Sequence, residues 1–424
     1  MKASIKHHYH WVIAAIVLLE MLIYVGILNN IFGLYVIPVS ETLGIARGDY
    51  SLAFSVRSMV GATSIVASAP ILRRFGYRKM VAFSLFMAVV AFLILSASKN
   101  LAMIFIGTII IGLCDGSCLT AGASFIIDNW FHRYHGSVFG LVTAASGIGG
   151  SMMCALLSRI INTAGWRMSL MACGLLTAVV AIVISLFSRD YPHQIGLTPL
   201  GEGERVKEKK AKKEDDHWHG YTMQKLRKMP AFYLSILEVF LSCLCVYVAF
   251  YVIVPYMQSR GFSQSDAASM QSVMLLSMAA CKLLSGILCD WIGARKATGI
   301  CLIALVVGLW LLINVNSYTS AMLAILVYSL SLPMTTVIIP LFTASLFGYN
   351  THNATLGVFL AMPSAGSIIA APVTNMIFDK LGTYLPAFYG VLIISVVVFV
   401  IHILVCVLSG RSRKRLKQEE NQSQ

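Results

Sequence analysis

Long apolar runs that alternate with short charged clusters are the feature that most limits how this chain can fold. Each run holds about 20 residues or more, which is the length that a helix needs to cross roughly 30 Å of hydrocarbon. Hydrophobic residues make up 58% of the sequence and charged residues only 12%, whereas a soluble domain has about 25% charged residues. The sequence therefore predicts an all-α membrane protein with about twelve transmembrane helices.

The predicted spans divide the chain into two groups of six. They cover residues 10–38, 50–71, 79–98, 101–127, 135–162, 167–188, 230–258, 267–289, 297–315, 319–346, 353–378 and 384–408. We expect an N-terminal bundle at 1–188, a polar linker at 189–229, a C-terminal bundle at 230–408 and a tail at 409–424. The first run is too long for the apolar core of a signal peptide, so we expect it to be retained as a helix.

The formal charge of +14 is best explained by membrane orientation. Of the Lys and Arg residues, 24 lie on the side of the predicted termini and linker, and six lie on the other side. An excess of basic residues marks the cytoplasmic side, which predicts cytoplasmic termini and a plasma-membrane or inner-membrane location. Since no basic stripe with interleaved aromatic residues is present, we do not expect nucleic-acid binding.

The two halves also repeat each other at one fixed offset of 217 residues, without a gap. Landmark residues of the first half that meet an identical residue of the second half are Pro38, Gly44, Asp49, Gly76, Arg78, Lys79, His135, Gly140, Gly149 and Gly165. Parallel six-helix repeats related by an axis along the membrane normal are a known transporter architecture, with the substrate site near the midplane.

The sequence carries no pattern that favours catalysis or a bound cofactor. All ten cysteines lie in apolar segments without the spacing of a zinc site, so they are interpreted as small core residues. The HHYH string at residues 7–10 is interpreted as an interfacial segment. We found no phosphate-cradling loop, metal cluster or nucleophile motif, and we expect neither enzyme activity nor a cofactor or metal.

One loop resembles the signature of the major facilitator superfamily. In SGILCDWIGARK, residues 285–296, the signature positions are Gly286, Asp290, Gly293, Arg295 and Lys296. The first-half copy, APILRRFGYRK, keeps Gly76, Arg78 and Lys79 but has Arg73 where the family usually has Asp. The resemblance covers nearly the whole chain. It implies two pseudo-symmetric six-helix bundles, and it implies that these residues act in conformational gating.

A narrower resemblance concerns three segments. NWFHRYHGSVFGLVTAASGIGG at residues 129–150, followed by GWR at 165–167, is similar to the fifth-helix signature of monocarboxylate transporters and oxalate/formate antiporters, and residues 32–56 also look like that group. The matching residues are Trp130, Phe131, Arg133, Gly140, Ala144, Gly147 and Gly149. The small residues predict close helix packing, and Arg133 is added to the candidate gating residues.

Five ionisable side chains lie deep in predicted spans, namely Glu20, Arg57, Asp115, Glu238 and Lys282. Each is costly in lipid and should face a partner or a water-filled cavity. The cations are candidates for binding a substrate carboxylate. Arg57 can instead brace Asp115 or reach toward the outer interface, and Lys282 can instead pair with Asp115 or Glu238. The three carboxyls are candidates for carrying a proton or for serving as permanent counter-ions.

The narrower resemblance assigns a specific role to Lys282. In the monocarboxylate and oxalate/formate families, an Arg eight residues before the signature Asp contacts the substrate carboxylate, and Lys282 occupies that position. The chain departs from the monocarboxylate pattern at Met278, where that family has Asp, and it has no counterpart of the eleventh-helix Lys of the oxalate/formate family. Lysine lacks the bidentate fork of arginine, so the preferred anion can differ.

Asn29 and Asn30, in the outer half of the first predicted span, can line the substrate path or form hydrogen bonds between helices. The leading functional hypothesis is secondary active transport of a small organic anion, a monocarboxylate or short dicarboxylate, by proton symport or anion exchange. The alternatives are efflux of drugs or other solutes, and a transporter-derived sensor. The expected partners are the anion, protons and the lipid bilayer, and one chain is expected to form the whole pathway as a monomer.

Overall fold

The protein is described by a computed structural model. The model describes residues 9–118, 120–132, 135–201, 221, 223–348 and 352–422. About half of the predicted linker, including the highly charged string at 202–220, lies outside the described residues. Nearly all of the described chain is helical, as the apolar runs predict.

The described part of the first half forms eight α-helices. They are α1 (Tyr9–Glu20), α2 (Gly26–Asn30), α3 (Gly33–Leu43), α4 (Arg47–Phe75), α5 (Tyr77–Ser96), α6 (Leu101–Cys118), α7 (Thr120–Trp130) and α8 (His135–Phe187). One π-helical turn, Met21–Val25, joins α1 to α2, so the first predicted span is a chain of helical pieces and not one regular helix. A short 3₁₀ helix, Pro192–Ile195, follows α8.

The described part of the second half forms a further eight α-helices. They are α9 (Met223–Leu226), α10 (Pro230–Ser259), α11 (Gln264–Ile292), α12 (Ala294–Ile313), α13 (Tyr318–Ser329), α14 (Ile338–Phe347), α15 (His352–Leu381) and α16 (Leu385–Gln422). A 3₁₀ turn, Leu332–Thr335, separates α13 from α14 and contains Pro333. The predicted span 319–346 is therefore broken near its middle.

The helices have the length and composition of membrane spans. Within the described residues, nine helical segments are long and apolar enough to cross a membrane, and two shorter apolar helices cover Leu101–Gly116 and Ile338–Phe347. One of the nine, Val138–Phe187, contains both the fifth and sixth predicted spans. Its backbone leaves the helical region at Gly165, where φ is +84°, so the chain turns there between the two predicted spans.

The glycines of the fifth-span string let α8 approach the first span closely. A Cβ atom at Gly149 would lie 1.8 Å from the carbonyl oxygen of Leu22, which is far inside van der Waals contact. From the opposite side, a Cβ atom at Gly26 would lie 2.8 Å from the backbone nitrogen of Gly150. Close backbone approach between small residues is a usual mode of helix packing in membranes, and it confirms the packing role predicted for this string.

The described chain separates into two compact units. The first comprises Met1–Asp215, Tyr251–Ala279 and Phe378–Lys380, and the second comprises Asp216–Phe250, Ala280–Ile377 and Leu381–Gln424. In the first unit, α4 packs against α10 through Phe54 and Tyr251, whose ring centroids are 5.0 Å apart. In the second, Tyr328 on α13 donates a hydrogen bond to the carbonyl of Val246 on α10.

Candidate functional site

Arg57 and Asp115 form a buried ion pair in the first unit. The Arg57 Nε donates to Asp115 Oδ2 at 3.1 Å, and Nη2 donates to Oδ1 at 3.2 Å. The third nitrogen, Nη1, donates to the carbonyl oxygen of Leu28 at 2.8 Å. Arg57 is 4% exposed and Asp115 is 3% exposed. This bidentate arrangement is the strongest geometry available to a carboxylate and a guanidinium.

Two glycines make room for this ion pair between α4 and α6. A Cβ atom at Gly112 would lie 2.6 Å from the carbonyl oxygen of Arg57, and one at Gly61 would lie 3.1 Å from Asp115 Oδ2. Each glycine therefore lets the backbone of one helix come close to the charged residue of the other. Phe54 adds an aromatic wall, since its ring centroid is 5.3 Å from the guanidinium carbon of Arg57.

Glu20 lies at the end of α1, fully buried, and accepts a hydrogen bond on Oε2 from the hydroxyl of Tyr77. Tyr77 is the first residue of α5, directly after the first-half signature loop. The other carboxyl oxygen, Oε1, has no hydrogen-bond partner among the described residues. The π-helical turn begins at the next residue, Met21, and such turns are frequent at functional sites.

Glu238 lies in α10 of the second unit and is paired with a histidine that we did not single out from the sequence. Its Oε1 is 2.7 Å from Nδ1 of His402 on α16. The other ring nitrogen, Nε2, is 3.1 Å from the carbonyl oxygen of Arg295, at the start of α12. A buried carboxyl is thus connected, through one imidazole, to the helix that follows the second-half signature loop.

The two carboxyls occupy nearly equivalent places in the repeat. Glu20 lies in the first predicted span of the first half (α1) and Glu238 in the first predicted span of the second half (α10), and the fixed offset of 217 residues would bring Glu20 to within one residue of Glu238. Each is linked to the helix that starts after a signature loop, Glu20 through Tyr77 and Glu238 through His402. The two halves therefore share a buried carboxyl that is linked to the helix after the signature loop.

Lys282 lies on the protein-facing side of α11. Buried residues recur on that helix at Gln271, Leu275, Met278, Ser285 and Cys289, in helical register with Lys282. The opposite stripe is exposed and apolar and consists of Leu276, Leu283, Leu284, Ile287 and Trp291. Lys282 is partly exposed. Its ammonium group makes no hydrogen bond or ion pair with any residue that the structure describes.

Asn30 takes part in hydrogen bonds between helices. Its Nδ2 donates to the carbonyl of Ser146 on α8 at 3.0 Å, and its own carbonyl accepts from the side-chain amide of Gln271 on α11. This is the alternative to substrate binding that the sequence left open, and a role in lining the path stays a prediction. The side chain of Asn29 lies outside the described residues.

The first-half signature loop is hydrogen-bonded to an aspartate from a distant part of the chain. Arg73 stands where the family usually has Asp, but Asp190 Oδ1 accepts from the backbone N–H of Arg78 at 2.7 Å. The side chain of Arg78 donates through Nε to the carbonyl of Ser185 at 2.8 Å. Gly76 has φ +81°, and a Cβ there would lie 2.2 Å from Asp190 Oδ2. Lys79 is exposed.

The second-half loop has the same backbone turn and a related anchor. Gly293 has φ +83°, which favours glycine, and Nη2 of Arg295 donates to the carbonyl of Ser345 at 2.6 Å. Asp290 and Lys296 are exposed and form no ion pair with any described residue. Arg133, the remaining predicted gating residue, lies outside the described residues, and the gating role of all of these residues stays a prediction.

Three residues of these networks were missed in the sequence. His402 is the one histidine inside the predicted span 384–408, and counting histidine among the ionisable residues of spans would have found it. Tyr77 and Asp190 carried no comparable signal, because a tyrosine or an aspartate at a helix end is common. In the part of the chain that the structure describes, no group of three or more His, Cys, Asp or Glu residues could hold a metal ion.

Comparison with known proteins identifies the family. The family model described as Major Facilitator Superfamily matches residues 16–347 and, in a second match, residues 237–423. Among curated proteins, the membrane sensor protein UhpC of Salmonella typhimurium is 31% identical over 78 residues, which are 18% of this chain and 18% of that protein. This match thus spans less than a fifth of the relative's length.

Solved structures agree over nearly the whole chain. A mutant of the nucleoside transporter NupG superposes with a TM-score of 0.74 at 11% identity, covering 94% of this chain and 99% of that one. A bacterial homologue of the human lysosomal transporter Spinster superposes with a TM-score of 0.70 at 13% identity, covering 95% and 96%. Identities this low show the fold alone. Together with the family match, they show that the chain belongs to the major facilitator superfamily, a family of membrane transporters.

Proposed function

We propose that this protein is a secondary active transporter of a small organic anion, a monocarboxylate or short dicarboxylate. The observation that carries the proposal is Lys282, a cation on the protein-facing side of a membrane helix with no partner among the described residues. An uncompensated charge inside the membrane is costly. A substrate carboxylate that binds the ammonium group would remove that cost, whereas a neutral solute would not.

The other deep ionisable residues support an anionic substrate because they already have partners. Arg57 is neutralised by Asp115 through two hydrogen bonds, so that pair adds no net positive charge. Glu238 is bonded to His402 and Glu20 to Tyr77. Of the five residues singled out from the sequence, Lys282 is therefore the one that favours a substrate of negative charge. Arg57 serves in this proposal mainly as a brace between α4, α6 and the first span.

Energy coupling is proposed to use a proton or a second anion. The sequence contains no ATP-binding motif, so we propose that an ion gradient or a substrate gradient drives transport. For proton symport, Glu238 with His402 is the stronger candidate, because a carboxyl and an imidazole at 2.7 Å can share and release a proton. Glu20 is the second candidate. For anion exchange, Lys282 alone suffices, since one anion leaves the ammonium group as another arrives.

The proposal is tested by counterflow in proteoliposomes. Vesicles that contain the purified protein are preloaded in turn with formate, oxalate, acetate, lactate or pyruvate, and accumulation of the same labelled acid is followed. We expect at least one acid to accumulate transiently above its equilibrium level. Uridine serves as a neutral control substrate. Absence of counterflow with every acid, in protein shown to be folded, or counterflow with uridine alone, would contradict the proposal.

A second candidate, a transporter-derived sensor, is favoured by one observation. The 78-residue match is to a protein that is named a membrane sensor. A sensor would bind its ligand without moving it across the membrane. Stabilisation of the protein by one of the acids in a thermal-shift assay, together with no counterflow of that acid, would therefore favour the sensor over the transporter.

The remaining finer expectations accompany this proposal. Drug or other-solute efflux is the alternative within transport, and the uridine and acid arms of the counterflow assay distinguish a neutral substrate from an anionic one. We propose a plasma-membrane or inner-membrane location with both termini cytoplasmic, on the basis of the distribution of Lys and Arg. We also propose that a monomer forms the whole pathway, with the two bundles at residues 1–188 and 230–408.

A further inference from the structure

A groove of the second unit lies beside the second-half signature loop. It has a volume of about 890 Å³ and is formed by the start of α12, the end of α14 and the C-terminal half of the apolar part of α16. Its lining includes Arg295, Lys296, Ile300, Ile303, Ser345 and Ile403. This volume is in the range of sites that hold a small molecule.

The groove is polar at one end and apolar along the rest of its length. Arg295 and Lys296 lie at the end formed by the signature loop, whereas Ile300, Ile303 and Ile403 line the part deeper along the helices. These three isoleucines are between 45% and 49% exposed, so the groove opens onto the outer surface of the unit. From Lys296 to Ile303, α12 rises by about 10 Å at 1.5 Å per residue.

This polarity matches one leaflet of a bilayer. Since the signature loop joins two predicted spans, its cations belong at the membrane surface, and the apolar part of the groove extends about 10 Å into a leaflet roughly 15 Å thick. We propose that the groove is a binding site for an anionic phospholipid, with the phosphate at Arg295 and Lys296 and an acyl chain along the isoleucines. Basic pockets between membrane helices are a known way to hold such headgroups.

The two cations are suited to different parts of this task. Nη2 of Arg295 donates to the carbonyl of Ser345 on the opposite wall, which holds the guanidinium at the rim of the groove. Lys296 is exposed and makes no ion pair with any described residue, so its ammonium group can follow a headgroup. His402 lines the groove, but both of its ring nitrogens are bonded, to Glu238 and to the Arg295 carbonyl, and we assign it no contact with lipid.

Charge complementarity also decides between a lipid and a second copy of this chain. A helix of another copy could fill the apolar part of the groove. It would bring an apolar surface against Lys296, however, and desolvate this cation without supplying a counter-ion, which is unfavourable. A phospholipid with a net negative charge satisfies the cations and the isoleucines together.

The test uses the full-length protein and two defined lipids. Binding of phosphatidylglycerol and of phosphatidylcholine with the same acyl chains is measured by native mass spectrometry of the detergent-purified protein. We compare the wild type with Lys296→Gln, with Ile303→Trp, which fills the groove, and with Lys228→Gln as a matched control. Lys228 is an exposed lysine on the same predicted side of the membrane, outside the groove lining.

We expect the wild type to prefer phosphatidylglycerol. Lys296→Gln should lower its affinity for that lipid about fivefold, the usual contribution of one basic residue near a membrane surface, and Ile303→Trp should reduce binding of both lipids. Lys228→Gln should behave as the wild type. Equal binding of the two lipids, an equal loss in Lys228→Gln, or a dimer that Ile303→Trp dissociates would each overturn the proposal. Lys296, Ile303 and Lys228 all lie at exposed positions, so the three variants should fold.

Discussion

At the scale of single residues, the membrane-embedded charges of this protein are of two kinds. Arg57, Asp115, Glu20 and Glu238 have partners inside their own unit. Lys282 has none among the described residues. A paired charge mainly holds helices in place, whereas a partly exposed charge without a counter-ion is suited to binding a charged ligand. The role of each residue can therefore be tested by whether its loss affects stability or affects transport.

The ion pair of Arg57 and Asp115 should act on stability. In Asp115→Asn, Arg57 stays buried with its charge uncompensated, and breaking such a pair costs about 3–5 kcal/mol. We expect a clear fall in the thermal unfolding midpoint of the detergent-purified protein. The double variant Arg57→Met with Asp115→Leu, which removes both charges, should recover most of the loss. A single variant as stable as the wild type would contradict the structural role of this pair.

The bond between Glu238 and His402 should act on coupling. If Glu238 carries the coupling proton, Glu238→Gln removes the titrating group and keeps a side chain of the same size next to His402. We expect uptake driven by an inward proton gradient to fall to the level seen without a gradient. Counterflow, which needs no net proton movement, should persist.

Glu20→Gln is the matched control for this experiment, because Glu20 is the pseudo-equivalent carboxyl of the first half and is bonded to Tyr77 instead of to a histidine. Full proton-driven uptake in Glu238→Gln would remove Glu238 from the mechanism. Loss in Glu20→Gln alone would assign the proton to the first half. No effect of a proton gradient on the wild type would favour anion exchange.

At the scale of helices, glycines determine how closely the elements pack. A Cβ atom at Gly149 would lie 1.8 Å from the backbone carbonyl oxygen of Leu22. A Cβ atom at Gly140, nine residues earlier in the same string, would have no atom of another described residue within 4 Å. Both residues match the family signature equally well in the sequence. The structure separates a glycine that is needed for packing from one that is not.

The two glycines provide a matched pair of variants. Gly149→Ala must push the first span away from α8, and overpacking of this kind costs about 1–3 kcal/mol. Gly140→Ala should be neutral, or stabilising by about 0.5–1 kcal/mol, since alanine favours a helix more than glycine does. The thermal unfolding midpoints of the two purified variants check this. Equal midpoints would mean that the close contact at Leu22 is absent in the protein.

Much of this element structure could be predicted, because hydropathy reports directly on what crosses a membrane. The pattern did not reveal that the span 10–38 contains a π-helical turn at Met21–Val25, or that the span 319–346 is interrupted at Leu332–Thr335. Hydropathy measures transfer of side chains into lipid and carries no information on backbone hydrogen bonds. Pro333 lies in the second of these interruptions, and proline removes a backbone donor.

The polar partners were harder to predict than the spans. The sequence identified Glu238 as costly in lipid but gave no means to pair it with His402, which is 164 residues away. A pair between Arg57 and Asp115 was one of three possibilities for Arg57, and the pair is present. Likewise, the sequence showed that Arg73 stands where the family usually has Asp. It did not show that Asp190 bonds to the loop instead, because that contact depends on how the end of α8 lies beside α5.

At the scale of the whole molecule, the chain belongs to the major facilitator superfamily, whereas an anionic substrate is our proposal. The family match and the solved structures agree on the fold of a major facilitator transporter. Solved structures with that fold include one named a nucleoside transporter and one named a homologue of a lysosomal transporter, at 11% and 13% identity, so the fold alone does not identify the solute. Substrate charge must therefore be argued from the site, and Lys282 is the residue on which the argument for an anion depends.

The most direct test of this account measures counterflow of the best acid in three variants. Lys282→Gln should weaken apparent substrate affinity by about 10- to 100-fold, the cost of losing a hydrogen bond to a charged group. Lys282→Arg keeps the charge and should keep transport with an altered preference among the acids. Lys99→Gln, at an exposed turn, should match the wild type. Unchanged affinity and rate in correctly inserted Lys282→Gln protein would contradict the anion-binding role of Lys282.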